Sequence, residues 1–242
     1  MTERGISFSA PMVRALLAGT KTQTRRIVKE KNVPAALRDG PGSACCPFTV
    51  GDRLWVREAY RLPESVDAFS PTEAGTRLLA AGADPSTVPI CYDADGATRH
   101  WPVDGAPCLP GKRRMGMFMP RWGSRIVLDI VDVRMERLDE CSAADAVAEG
   151  IERLEDVDGA ARWRVYGSSP ASTSDARLSY RSLWEQINGA GSWEANPLIW
   201  VVVFHVGAIG GPVPLTSRRR WLWVGEGPRS ANPSPATRSR RV

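Results

Sequence analysis

The sequence predicts a mixed α+β fold: a small twisted β-barrel with short flanking helices, long loop insertions and a disordered C-terminal tail. Three observations lead there. Strand-like apolar runs recur at Arg53–Tyr60, Arg125–Val133 and Leu198–Val206. Apolar residues at helical spacing come only in short pieces, at Met12, Val13, Leu16 and Leu17 and again at Tyr180, Leu183, Trp184 and Ile187. The strands are well separated along the chain by stretches rich in Gly and Pro.

Ile6 to Ser9 reads as a first short strand. Pro11 suits the first turn of the helix that follows, with Ser9 or Ala10 as its cap, and Gly19 supplies the left-handed exit. Thr20 to Val28 continues as extended chain, and Lys31 to Phe48 reads as loop. After the turn at Gly51-Asp52, alternation puts Leu54, Val56 and Glu58 on one side of a strand and Trp55 and Arg57 on the other. Residues 61–118 form a long irregular insertion, with a short helix near Thr72–Ala81 and a strand near Ile90–Tyr92. Ser142 and Asp145 form a capping box that opens a helix stopping at Gly150. Glu152–Ser179 is a second variable region with a strand at Arg162–Tyr166. From Gly207 the pattern dissolves into Gly, Pro, Ser and Arg, so residues 207–242 are expected to be a disordered tail beyond a domain of residues 1–206.

Composition narrows the functional classes. At 242 residues, 43% hydrophobic and 24% charged, the chain suits one elaborated globular domain plus extensions. No apolar run reaches membrane-span length, and Ile6–Ala18 is too interrupted for a signal-peptide core, so the cytoplasm is expected and a membrane partner is not. The cysteines at 45, 46, 91, 108 and 141 are odd in number, lack a C-x-x-C pair and accompany only two histidines, His100 and His205. That argues for reduced thiols and against a metal site, and no cofactor is expected. Residues 213–242 carry seven arginines against Glu226, a net +6 of the chain's +5, which leaves −1 for residues 1–212. The basicity, and any nucleic-acid affinity argued from it, belongs to the tail. The sequence carries no signal of oligomeric state.

The segment Gly19 to Arg26, GTKTQTRR, places one lysine, three threonines and two arginines just after a helix. A helix exit needs only the glycine, and a half-buried strand needs apolar residues that are missing. A donor-rich segment of this kind suits an anionic or heavily hydrogen-bonding ligand, whereas its plain structural alternative is a solvated turn and an edge strand.

Ser9–Arg26, SAPMVRALLAGTKTQTRR, resembles the opening of the ASCH domain family, in particular its bacteriophage and prophage branch. Three further blocks resemble it in family order: Gly51–Glu58 (GDRLWVRE), Met119–Ile126 (MPRWGSRI), and Tyr180–Gly189 (YRSLWEQING) with Gly191–Pro197 (GSWEANP). The resemblance covers most of residues 5–206. It implies a PUA-like β-barrel linked to RNA binding. One ASCH subgroup is similar to a small amidohydrolase that removes the acetyl group from acetylcytidine. Its lysine and threonine fall on Lys21 and Thr24, its pattern's arginine on Arg26, and its glutamate on Glu149. Those small enzymes lack the 61–118 insertion.

The residues themselves constrain these roles. Lys21 and Thr24 converge only if Thr20–Thr22 is still a turn, because in a flat strand they face opposite ways. Glu149 in a last helical turn opposes the helix dipole at a cost of roughly 0.3–1 kcal/mol, which a buried cation such as Lys21 would offset. Amide hydrolysis needs a nucleophile, a base and oxyanion donors. Thr24 suits the first. The base is either a neutral Lys21, or Glu149 with Lys21 and Arg26 holding the oxyanion. Arg57 and Glu58 line the same cavity or form structural ion pairs. Arg121 and Trp122 offer phosphate contact and base stacking, with Trp101 a second platform, while Trp55, Trp184 and Trp200 read as core. The expected partner is RNA or a modified nucleoside. A non-catalytic RNA-binding module is the rival, and a ribonuclease ranks last because no acidic cluster has ligand spacing.

Overall fold

The computed structural model describes residues 1–29, 46–80, 90–96, 101–103, 106–154, 161–167 and 171–210. Within them the centre of the fold is a five-stranded mixed sheet. Its strands are β1 (Glu3–Ser7), β2 (Gln23–Ile27), β3 (Arg53–Arg57), β8 (Ile126–Arg137) and β12 (Leu198–Ile209), in the order β1-β3-β8-β12-β2. β1 and β3 run parallel, and every other pair is antiparallel. β8 and β12 pair along their full length, with register shifts at Val203/Phe204 and Val206/Ala208. Gly207 sits in the second shift because a Cβ there would meet Asp129 Oδ2 at 1.9 Å.

Helix α1 (Ala10–Leu17) follows β1 with Ser9 at its N-cap and Pro11 in its first turn. Its buried face, Val13 and Leu16, packs against Ile6, Phe8, Leu54 and Val202 on one side of the sheet. Helices α3 (Ala143–Ala148) and α4 (Ala176–Asn188) cover the other side, where Tyr180, Leu183 and Trp184 meet Ile199 and Val201. The alternation of β12, with Ile199 and Val201 facing α4 and Trp200 and Val202 facing α1, buries both sides of that strand. The capping box at Ser142 is present: its hydroxyl accepts from Asp145 N, and the Asp145 carboxylate accepts from Ser142 N.

The expected barrel does not form. β1 and β2 are the two edges of an open sheet, and no backbone ladder joins them among the described residues. α1 is the connection between them and fills the adjoining core with Val13 and Leu16. Among the described residues the hydrogen bond that joins the edges comes from a side chain, Arg26 Nη2 donating to Ser7 O at 3.0 Å. Two boundaries also differ from expectation. β8 runs on to Arg137, and β12 continues through Gly207 to Ile209, so the paired structure outlasts the family-like pattern. The remainder of the expected tail, residues 211–242, lies outside the described residues, as does His100.

The insertion is more ordered than its irregular sequence predicts. It holds β4 (Tyr60–Arg61) paired with β5 (Cys91–Tyr92), helix α2 (Pro71–Ala80) and the pair β6 (Trp101–Val103) and β7 (Ala106–Cys108). Tyr60, Leu62, Val66, Ala74, Tyr92 and Trp122 form a core of their own. A third small sheet, β9 (Arg153–Leu154), β10 (Arg162–Arg164) and β11 (Ser172–Thr173), is held against α4 by Ser179 Oγ donating to Arg164 O at 2.6 Å.

Candidate active site at the junction of the first and third helices

Gly19, with φ of +72°, turns the chain out of α1, and Thr20 and Lys21 donate their N–H groups to Ala15 O. Lys21 therefore precedes β2 and belongs to a turn. Beside it, Thr22 N donates to Ala148 O and Phe204 N donates to Thr22 O, each at 2.9 Å. These bonds pin the turn between the end of α3 and the central strand β12. Gly150, with φ of +79°, lets α3 end this close: a Cβ there would lie 2.7 Å from Lys21 Cβ and 2.8 Å from Ala15 Cβ. Gly150→Ala is expected to cost at least about 1–2 kcal/mol from the left-handed backbone alone. A lower thermal midpoint with the fold retained is the measurement; an unchanged midpoint contradicts this packing.

Lys21 and Glu149, 128 positions apart, meet here. The Lys21 ammonium donates to Glu149 Oε2 at 2.9 Å and to Glu149 O at 2.8 Å. The two residues are 1% and 2% exposed, so the pair is buried. The second bond also satisfies a carbonyl that the end of α3 leaves without a helical partner, and it puts a cation at the negative end of that helix. The unfavourable position of the Glu149 carboxylate is thereby offset. Lys21 also lies over the Phe8 ring, 5.4 Å from its centroid, and Arg26 lies over the same ring at 5.3 Å.

The alternation of β2 divides its polar residues between the two sides of the sheet. Arg25 faces α4 and lies over Tyr180, 5.8 Å from the ring centroid, while Arg26 faces Phe8. Thr24 pairs with Val202 in the ladder and is 3% exposed. Its hydroxyl has no hydrogen-bond partner among the described residues. Thr24 thus shares the α1 side of the sheet with Arg26 and offers a free hydroxyl three positions from Lys21.

Arg25, which the family-like pattern does not single out, ties the site to its surroundings. Its Nη1 donates to Glu149 Oε1 at 3.1 Å and its Nη2 to Glu136 Oε1 at 2.8 Å, with Asp145 Oδ1 3.5 Å away. Arg134 closes the network, donating from Nε to Glu136 Oε2 and from Nη2 to Asp145 Oδ1, each at 3.0 Å. Gln23 Nε2 donates to Asp145 O and Oδ1. Sequence reasoning missed Arg25, Glu136, Arg134 and Gln23, and it read Asp145 only as a cap. The available signal was the alternation of Gln23 and Arg25 along a strand paired to a β-branched run.

Burial pulls the Lys21 ammonium below its ordinary pKa; Glu149 opposes this, while the Arg26 and Arg25 charges add to it. Burial pushes the Cys141 thiol up to about 12, so the thiol beside this network stays protonated at neutral pH. Burial also pushes the Asp145 carboxyl up, yet hydrogen bonds from Ser142 and Gln23 and the Arg25 charge outweigh it and hold the group well below the carboxylate range. A carboxyl depressed on folding contributes stability that is complete above its unfolded value near pH 4 and is lost as pH falls toward the folded value. Asp145→Asn is therefore expected to flatten the loss of stability below about pH 4, read as urea midpoints against pH. A slope equal to that of the unmodified chain contradicts this.

The other expected site residues fall elsewhere. Glu58 is buried and takes two bonds from Arg125, at 2.9 and 3.0 Å, and Arg125 also binds Asp95 and lies 4.0 Å over Tyr92. It is a structural ion pair. Arg57 donates to Gly5 O at 2.8 Å, and Arg121 makes a two-pronged pair with Glu3 at 2.9 and 3.0 Å. Trp122 is corrected from base platform to core: it is 5% exposed, and its ring lies so close to Gly75 of α2 that a Cβ there would meet it at 2.6 Å. Trp55 is corrected the other way. Its ring is partly exposed and carries Arg57 at 5.2 Å and Arg121 at 6.0 Å. Trp184 and Trp200 are core residues, as expected. Among the described residues no group of histidine, cysteine and carboxylate side chains has metal-binding geometry, and no helix is long and apolar enough to cross a membrane.

No protein-family model, no curated protein and no solved structure matches this chain.

Proposed function

We propose that this chain is a phage- or prophage-type ASCH protein with a PUA-like domain. On this reading it binds RNA or a modified nucleoside beside Lys21, Thr24, Arg26 and Glu149 and hydrolyses an acyl amide on the exocyclic amine of the base. The observation that carries this is the buried contact of Lys21 with Glu149 at 2.9 Å, next to a strand that presents the unpartnered hydroxyl of Thr24. The four sequence blocks that resemble the family support it.

The chemistry divides among these groups as follows. Thr24 Oγ attacks the acyl carbon, and its proton passes to the neutral amine of Lys21. A neutral amine has two N–H bonds and one lone pair. Glu149 supplies acceptors for both N–H bonds through Oε2 and O, which leaves the lone pair for the threonine. Glu149 orients that amine. It is a weaker choice for the base itself, because both of its carboxylate oxygens already accept hydrogen bonds, from Lys21 and from Arg25. The tetrahedral intermediate collapses as Lys21 returns the proton to the departing nucleobase amine. Water then cleaves the threonine ester by the same proton route. Arg26, which shares that side of the sheet with Thr24, is assigned to meet the oxyanion.

The same double pairing of Glu149 favours the rival reading, a non-catalytic RNA-binding module in which the pair only holds α3 to β2. Incubation with acetylcytidine separates the two. The proposal expects acetate release that Lys21→Ala lacks. Binding without acetate release supports the module.

A further inference from the structure

We propose that residues 221–224, Trp-Leu-Trp-Val, dock on the apolar turn formed by Met115, Met117 and Phe118, so that the arginine-rich tail returns onto its own chain. The inference is independent of the reading above, because it uses none of the groups assigned to hydrolysis.

The turn holds its apolar side chains out to solvent. Met115, Met117 and Phe118 are 57%, 60% and 60% exposed, while Met119 beside them is buried in the core of the insertion. The backbone beneath them is pinned. Phe118 N donates to Met115 O at 3.0 Å and Met119 N to Gly116 O at 2.9 Å, and the Tyr60 hydroxyl donates to Phe118 O at 3.2 Å. Gly116 closes the inner side: a Cβ there would lie 3.0 Å from Arg57 O and from the Glu58 carbonyl carbon. Surface apolar residues scattered singly need no explanation, but three on one pinned turn mark a contact.

The chain leaves the described structure beside this turn. Gly210, the last described residue, donates its N–H to Arg125 O at 2.9 Å. The Arg125 guanidinium grips the Glu58 carboxylate at 2.9 and 3.0 Å, and the Glu58 backbone is what Gly116 packs against. Beyond Gly210 the sequence holds a strongly apolar run, Trp221–Val224, set between Arg218–Arg220 and Glu226. The steps from Gly210 to Trp221 reach up to about 36 Å when extended, enough to return past Arg125 and Glu58.

Area selects this occupant over a second copy of the chain. Three side chains at that exposure offer roughly 350 Å². A stable interface between free chains takes about 800 Å² from each partner. Tethering removes that requirement, because a short linker holds its own segment at an effective concentration of about millimolar. Two indole rings meeting two thioethers and a phenyl ring also gain sulfur–aromatic contacts.

The test places a benzophenone photo-cross-linker at position 118 of the full chain and maps the cross-linked peptide. A cross-link to 221–224 of the same chain is expected, with a yield that stays the same on dilution of about tenfold. A cross-link to a second chain, or to no residue of 211–242, overturns the docking. Hydrogen exchange gives a second readout without the cross-linker. Phe118→Ser is expected to speed exchange of the 221–224 amides about tenfold, with those of 230–242 unchanged. Met117→Ser is expected to act in the same direction and keeps the test decisive if Phe118→Ser does not fold by circular dichroism. Exchange at 221–224 that neither variant alters overturns the proposal. Protection lost at high salt also overturns it, because the contact then belongs to Arg218–Arg220 and not to the apolar run.

Discussion

Arg25→Met is expected to destabilise the fold by about 3–5 kcal/mol, the cost of leaving buried carboxylates without their cation. The Arg25 side chain is fully buried, and it serves Glu149, which is almost as buried, together with Glu136. Methionine keeps much of the volume and the contact with Tyr180, so the loss reports the charge. For a chain of this size it corresponds to a fall in the thermal midpoint of roughly 6–20 °C. The double variant Arg25→Met/Glu149→Gln is expected to cost less than the sum of the single changes, because removing the orphaned charge removes most of the penalty. A single variant within about 1 kcal/mol of the unmodified chain contradicts a network whose members depend on one another.

The second large effect is on turnover. Lys21→Ala and Glu149→Ala are each expected to lower the rate on an acetylated nucleoside by about 10²–10⁴-fold, the usual worth of a positioned proton-transfer group. Both variants need a circular dichroism check, since Glu149→Ala leaves Lys21 and Arg25 buried without their shared carboxylate. Glu149→Gln separates orientation from charge. The amide can still accept from Lys21 but leaves the Arg25 charge uncompensated, so an intermediate rate is expected if Glu149 orients the amine. Wild-type turnover in either alanine variant contradicts the assignment.

Much of the local structure is legible in the residues. Leu54 and Val56 are the buried side of β3, Glu58 just beyond its end is buried in the same alternation, and the Ser142 box opens α3 as its chemistry requires. Tyr180, Leu183 and Trp184 are the buried stripe of α4, though Ile187 in the same pattern is exposed. Closure of the sheet is not legible. Period-two alternation fixes which side a residue faces and says nothing of whether the two edge strands meet, which depends on pairings such as Val201 with Arg25 across 176 positions. Arg25 was hidden for a similar reason. A guanidinium in a polar strand reads as solvated until three carboxylates from β8 and α3 are seen around it. The exchange of roles between Trp55 and Trp122 follows from tryptophan's double character: an alternating strand suggested burial for the first, and an irregular loop suggested exposure for the second. Packing decides the opposite: Trp122 is buried against Gly75 of the insertion, and the partly exposed Trp55 ring lies over Gly5.

Rapid mixing of purified protein with acetylcytidine tests the central claim most directly. With Thr24 as nucleophile, one equivalent of cytidine per protein is expected to appear ahead of free acetate, with the acetyl group recovered on the peptide that holds Thr24, and Thr24→Val is expected to show neither. Acetylcytidine bound and returned unchanged by a folded, unmodified chain would contradict the account.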